Sequence, residues 1–530
     1  MVTTTPHSKN AKHLLSDIDQ GLIGLPRFQR DFVWTLDKSA ALIDSVLKGF
    51  PIGALIFWRT SETLRDHRQL GRFKLPEPVA GAERNYVLDG QQRLTSLYAA
   101  LRGIEVTLSD GRTRDFSEIW VDLSVDDIEQ DFCITALADR DETRCIPLVD
   151  LFEKSGLSLS KDYPEDTHEM IEAHRDAIAA YLIPYVQLQN APISVATEVF
   201  TRVNIGGEKL SLFEIMVAKT YDADRDFDLL TEWEKLRDRL VDVKYTSVQP
   251  INILHLIGMI LDGDVRRQRI LDIERAAFID TWPKAVKALE AAVDFCRKTV
   301  GLQVSHLLPY TACLAPLGLY FAQKGVGKLS KADATELTRY VFSCGLASRY
   351  TGPINTNLNQ DRVAILKLVE TGVLSLDFEP PEMDPKWLAR QEFRANEAFS
   401  KTFLAIMARK GPKSLGNNSS VDLDNSAMQR ANSRNFHHFF PKAFLRKRGI
   451  QAEGHSENAI ANITLVDGGL NNLIRARAPS EYLATFEEEN DKLSAALASH
   501  HISARDSAPV WRDDYEEFLI ERSRAMLRDL

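Results

Sequence analysis

Apolar residues at Leu36, Ala40, Ile43 and Leu47 recur at three- and four-residue intervals, which predicts an amphipathic helix. Gly49 and Pro51 close it, because glycine accepts the turn that ends a helix and proline cannot continue one. ALIFW at 54–58 is short, apolar and β-prone, so it reads as a buried strand. NYVL at 85–88 reads as another strand, with Asp89–Gly90 as a sharp turn after it. Leu94, Leu97, Tyr98 and Leu101 then line one helical face as far as Gly103. EIWVDL at 118–123 reads as a strand, and the polar stretch from Arg65 to Arg84 as a loop or hairpin. Ser211 and Glu214 have the spacing of a capping box at the start of a helix.

From Asp222 to Arg409 the pattern turns helical, with INILHLIGMIL, LPYTACLAPLGLYFA and ELTRYVFSCGLASRY as its apolar segments. His255 and His306 lie in apolar surroundings and read as core or boundary histidines. EPPEMDP at 379–385 interrupts the run, and one further helical segment follows from Trp387 to Gly411. Residues 411–434 are rich in Gly, Ser and Asn, which predicts a linker or long surface loop. NITLV, starting at Asn462, reads as a strand. Near the end, Trp511, Tyr515, Phe518 and Leu519 have the spacing to pack a closing helix.

Composition narrows the function classes. The chain has 530 residues, enough for three or four domains, and 44% hydrophobic residues suit a large core. A net charge of −10 argues against indiscriminate coating of nucleic acid, so any DNA contact must use local basic patches. The five cysteines are scattered with no CxxC pair, which fits a reducing compartment, the cytoplasm, and no structural zinc. The opening MVTTTPHSKNAKHLL lacks a long apolar core, so no signal peptide is expected. No run approaches the ~18 apolar residues of a membrane span.

The chemistry concentrates in residues 435–472, NFHHFFPKAFLRKRGIQAEGHSENAIANITLVDGGLNN. A His pair precedes a proline; Asn462 follows a basic loop, and Asn471 comes nine positions later. A near-neutral imidazole can take a proton from water. Imidazoles and amide oxygens can hold a divalent metal and activate water. Lys442, Arg446, Lys447 and Arg448 surround the pair, Arg475 and Arg477 follow, and no acidic residue interrupts Ser433 to Ile450. That is a local phosphate-binding surface for DNA. A second pair, His500–His501, has no such Asn spacing behind it.

This stretch resembles an HNH endonuclease module. The resemblance implies that His437 is the first metal ligand and His438 the general base. Asn462 is then the Asn that orients the base, and Asn471 the last ligand, with Asn472 in its place if the helix register differs by one. Many family members have Asp first and His last; the two neutral ligands implied here would leave most sites on the cation to water and phosphate oxygens, which suits Mg²⁺ or Mn²⁺. His455 lies nearby, and the resemblance gives it no role.

In the N-terminal part, a strand, a glycine turn and a helix start make an anion site, because unpaired amides point outwards. Gln91, Gln92 and Arg93 add donors there, and Arg30 of PRFQRDFVW could supply a second phosphate contact. DGQQR together with PRFQRDFVW resembles the ParB/sulfiredoxin-like domain of GmrSD-type modification-dependent restriction proteins. The resemblance implies that Gln29, Arg30, Asp89, Gly90, Gln91, Gln92 and Arg93 bind a nucleoside triphosphate, GTP or ATP, which is hydrolysed. Trp34 matches the family's aromatic and equally suits a core. Arg202 and Asn204 resemble the family's F-x-R-x-N element, which would close over the nucleotide; the same loop also suits positioning the helix after it.

The expected fold class is α+β and multidomain. Residues 1–221 would form a ParB/sulfiredoxin-like α/β sensor domain, 222–410 a helical middle, 411–434 a linker, and 435–530 an HNH ββα-metal module embedded in helices. The function implied is a nucleotide-regulated, divalent-metal-dependent DNA endonuclease of the type IV-like restriction kind, in phage defence. Its partners would be modified double-stranded DNA and nucleoside triphosphate, with a homo-oligomer left open and no membrane. The alternative is a nucleotide-dependent DNA-binding regulator whose HNH-like domain does not cut.

Overall fold

The strands expected at 54–58 and 85–88 pair at the heart of a mixed five-stranded sheet. The computed structural model describes residues 2–530 except 26–31, 33, 62–63, 65–68, 71–72, 75–82, 108–112, 126–127, 138–139, 204–210, 223, 422–435, 450–454 and 467–473. The chain divides into two units, Met1–Leu229 and Leu230–Leu530. No helix among the described residues is long and apolar enough to cross a membrane.

In the first unit the sheet strands are β1 (Thr3–Asn10), β2 (Ile23–Gly24), β3 (Leu55–Thr60), β4 (Arg84–Asp89) and β5 (Leu182–Gln189), in the order β1-β5-β3-β4-β2. The β1/β5 and β3/β4 pairs are antiparallel; β5/β3 and β4/β2 are parallel. Strands buried by helices on their faces need apolar side chains, and Leu55, Phe57, Trp58, Tyr86, Val87 and Leu88 are all buried. The helices Leu36–Leu47 (α1) and Gln91–Arg102 (α2) pack on this core through Ala40, Ile43, Leu94 and Leu97. Trp34 packs partly buried against the same core. The strand expected over 118–123 is shorter: Phe116–Glu118 is a 3-10 turn, and only Trp120–Asp122 pairs, in a separate three-stranded sheet. The expected capping box at Ser211 and Glu214 is formed, with the Glu214 backbone N–H donating to Ser211 Oγ and the Ser211 N–H to Glu214.

The second unit joins the helical middle to the C-terminal elements. Pro250–Leu261, Arg275–Phe295, Leu314–Lys324 and Lys331–Leu346 form its helical core, carrying the three apolar segments read from the sequence. His255 is buried there, and His306 is half-buried with its Nδ1 near Ser247 Oγ. The segment expected as one helix from Trp387 is broken. Pro385–Ala389 and Ala398–Arg409 are helical, and the backbone between them bonds elsewhere: Ile460 N–H donates to Gln391 O, and Phe393 N–H to Asn458 O.

The expected linker at 411–434 also needs correction at its start. Residues 411–421 are folded, because Leu415 is fully buried in the C-terminal core and its carbonyl accepts from Asn490. Residues 422–435 lie outside the described set. The closing helix is present as Tyr515–Arg528 (α3), which buries Tyr515, Phe518 and Leu519.

Candidate functional site

In the second unit, Phe436–His438 (β6) pairs antiparallel with Ile463–Leu465 (β7), with His437 opposite Thr464 and His438 opposite Ile463. Phe439 and Phe440 follow, and both are fully buried. Phe439 stacks on Phe518, and Phe440 lies against Phe518 and Tyr515. Fully burying a phenylalanine contributes about 1.5–3 kcal/mol, so the FFP sequence anchors the end of the strand carrying the His pair. The Tyr482 hydroxyl donates to Phe439 O at 2.7 Å.

Successive strand residues face opposite ways, and the two imidazoles have different surroundings. His437 is 5% exposed, and its Nδ1 is sealed from solvent without a hydrogen-bond partner. Burial, then the neighbouring His438, pushes its pKa down to about 4, so the ring is neutral at pH 7. A neutral buried imidazole with an uncommitted nitrogen is a donor that suits a metal ligand. His438 is half-buried, and its Nε2 lies 2.9 Å from Asn458 Oδ1. Burial lowers its pKa too, and the Asn458 contact opposes that shift.

Asn462 is fully buried, with its carboxamide spent on backbone. Its Oδ1 accepts from Phe440 N–H at 2.8 Å, and its Nδ2 donates to Phe440 O at 3.1 Å and Glu457 O at 3.0 Å. The Phe439 N–H donates to Asn462 O at 2.8 Å. Asn462 therefore fixes the chain just beyond His438, and the side chain touching the ring is Asn458, which sequence reasoning missed. Its only sequence signal is a position four residues before Asn462. Asn471 and Asn472 lie outside the described residues. Among the described residues, no three of His, Cys, Asp or Glu gather as a metal-holding group. His455 is buried, and its Nδ1 lacks a partner.

The basic residues are not equivalent. Arg446 pairs with Glu457, its Nε 2.8 Å from Oε2 with a second shorter contact, so its charge is largely neutralised locally. Lys447 and Arg448 are exposed, and Arg448 lies over the Phe444 ring. Lys442 is half-buried close enough to His438 to depress its pKa. Arg475 is exposed, and Arg477 is half-buried with Nη1 3.4 Å from Thr485 Oγ1. The second His pair has structural partners. His500 Nδ1 lies 2.8 Å from Thr464 Oγ1 and Nε2 2.7 Å from Lys413 O, while His501 Nε2 is 3.0 Å from Asp529. Arg522, fully buried in α3, donates to His500 O, Ala461 O and Met407 Sδ and ties three segments together behind β7.

In the first unit, DGQQR spans the end of β4 and the start of α2. Gly90 has φ +87°, which glycine tolerates, and a Cβ there would sit 2.3 Å from Leu55 Cδ2. Gly90 is the N-cap of α2 and has no side chain to cap it, and a helix start of this kind suits an anion. Gln91 and Gln92 are buried. Arg93 bonds Asp89 Oδ2 and Ile52 O, each at 2.9 Å, and lies against Gly53, where a Cβ would come within 2.5 Å of Nη1. Its guanidinium thus braces the turn. Sequence reasoning missed Gly53, which is legible only through this contact. Gln29 and Arg30, with the rest of residues 26–31, lie outside the described set, as does Asn204. Arg202 is exposed and pairs with Glu198 at 2.8 Å.

Residues 11–221 match the family model of the GmrSD restriction endonuclease N-terminal domain. Over 532 aligned residues the chain is 23% identical to an uncharacterised protein, MJ0686, of Methanocaldococcus jannaschii, covering 91% of this chain and 87% of that protein.

Proposed function

We propose that this chain is a DNA endonuclease of the GmrSD type, regulated by nucleotide, dependent on a divalent metal and directed at modified DNA in phage defence. The N-terminal family match supports the restriction reading. The observation that carries the cutting half is the His437–His438 strand end: one imidazole is sealed with an uncommitted nitrogen, its neighbour half-buried and held at one ring atom.

In this reading His437, with Asn471, would hold Mg²⁺ or Mn²⁺; the bound ion would supply positive charge for the scissile phosphate and leaving oxygen. His438 takes the proton from the attacking water, a role that a neutral ring can fill. Asn462 holds the strand end, so the ring is presented without reorganisation. Lys442, Lys447, Arg448, Arg475 and Arg477 contact backbone phosphates and fix the register of the duplex. Arg446 contributes less, because Glu457 already faces it. In the first unit, the amides at the start of α2 would take phosphate oxygens of GTP or ATP, with Arg93 and the two glycines shaping the turn. Gln29, Arg30, Gln91, Gln92, Arg202 and Asn204 complete the proposed nucleotide site.

The experiment is cleavage of modified and unmodified phage DNA, with and without Mg²⁺ and nucleoside triphosphate. Metal-dependent cutting confined to modified DNA and changed by nucleotide is expected. Equal cutting of both substrates would remove modification sensing and leave the nuclease standing. No cutting under any condition, with nucleotide-dependent DNA binding retained, would favour a non-cutting regulator.

A further inference from the structure

We infer that Asn458 is a positioning residue that fixes the tautomer of His438 and makes Nδ1 the nitrogen that accepts the proton. The inference rests on the nuclease reading of the His pair, and its geometry stands by itself. Asn458 Nδ2 lies 2.7 Å from the Phe393 carbonyl oxygen. A carbonyl only accepts, so the amide atom facing it must be the nitrogen. The other amide atom, 2.9 Å from His438 Nε2, must then be the oxygen, which also only accepts. Nε2 therefore carries the proton, and in the neutral ring Nδ1 is bare.

The carboxamide cannot easily rotate out of this arrangement. The Phe393 N–H donates to Asn458 O at 2.8 Å, and Asn458 N–H donates to Ser456 Oγ at 3.1 Å. Flanking it, Glu392 bridges Ala459, and Ile460 N–H donates to Gln391 O at 2.9 Å. The break between helices Pro385–Ala389 and Ala398–Arg409 thus supplies the backbone that aims Asn458. Asn462 holds the strand on which His438 sits; Asn458 holds the ring. A base presented in the wrong tautomer has its proton on the nitrogen that should receive one, and such errors cost several orders of magnitude in rate.

The test uses the full-length chain, labelled with ¹⁵N-histidine, with His438 signals assigned by their loss in His438→Ala. Long-range proton–nitrogen spectra are expected to show Nε2 protonated and Nδ1 bare in the native protein. In Asn458→Leu the preference should weaken, and single-turnover cutting of DNA should fall about 100-fold or more with DNA affinity within about twofold. Asn458→Asp keeps an acceptor toward the ring and should keep Nε2 protonated, but it sets a carboxylate oxygen against the Phe393 carbonyl and should recover only part of that rate. A native His438 protonated at Nδ1, or an Asn458→Leu chain cutting at the native rate, would overturn the inference. A native chain that does not cut but shows the expected tautomer would overturn the nuclease reading instead. The native spectrum needs no Asn458 variant, so a poorly folding variant leaves the inference open to refutation.

Discussion

Arg446 and Lys447 are neighbours in a basic run, and their surroundings separate them. Arg446 faces Glu457 in a two-contact ion pair, whereas Lys447 is exposed. Removing one cation from a backbone phosphate should reduce the slope of log affinity against log salt by about one. Lys447→Ala is expected to reduce the slope measured by DNA-binding titration, and Arg446→Ala to leave it nearly unchanged; the reverse ranking would show that Glu457 releases its partner on binding. Buried histidines give a second residue-scale prediction. Burial pushes the His255 pKa down to about 4, whereas an unfolded imidazole titrates near 6.5. The unfolded chain takes the proton first as pH falls, so stability is intact above about 6.5 and lost progressively toward about 4. Chemical unfolding at pH 7 and pH 4 should show His255→Leu losing less than the native chain, by on the order of 3 kcal/mol.

At the scale of elements, the turn from β4 into α2 depends on Gly90. An alanine there must adopt φ +87° and meet Leu55 Cδ2 at 2.3 Å. Gly90→Ala should cost at least about 1–2 kcal/mol in a melting experiment and abolish nucleotide binding measured by calorimetry. Unchanged binding would move the nucleotide away from this turn. Behind the strand pair, Arg522 supplies the donors for Ala461 O and His500 O. Arg522→Met leaves both carbonyls without them, and denaturant unfolding should report a loss on the order of 3 kcal/mol. Elements whose signal is local were legible in the sequence: α1 begins at the expected Leu36, DGQQR joins strand to helix, and the capping box forms at Ser211. β1 was not, because TTTPHSKN has no apolar alternation and is held by its ladder to β5. Asn458 was hidden for a similar reason. Its partner His438 is 20 positions away, and its anchor Phe393 lies 65 away in a stretch that the helical pattern had absorbed.

At the scale of the molecule, the expected division after residue 410 has no counterpart in the two units. The helical middle and the C-terminal elements share one unit, Leu230–Leu530. Leu415, Phe393 and Met407 each connect segments that sequence composition had assigned to different parts. Periodicity identifies a helix and its apolar face, and it carries no information about which distant backbone that helix supports. The consequence for function is that the proposed cutting site depends on the middle segment for its orientation. In the proposed reading, a chain of net charge −10 engages DNA through exposed cations such as Lys447 and Arg448 rather than through its overall charge. The most direct measurement is the rate of nicking of modified phage DNA with Mg²⁺ and nucleoside triphosphate by the native chain and by His438→Ala, with DNA affinity measured alongside. A base at His438 predicts metal-dependent nicking by the native chain, a fall of about 100-fold or more in the variant, and unchanged affinity. Nicking by His438→Ala at the native rate would contradict it.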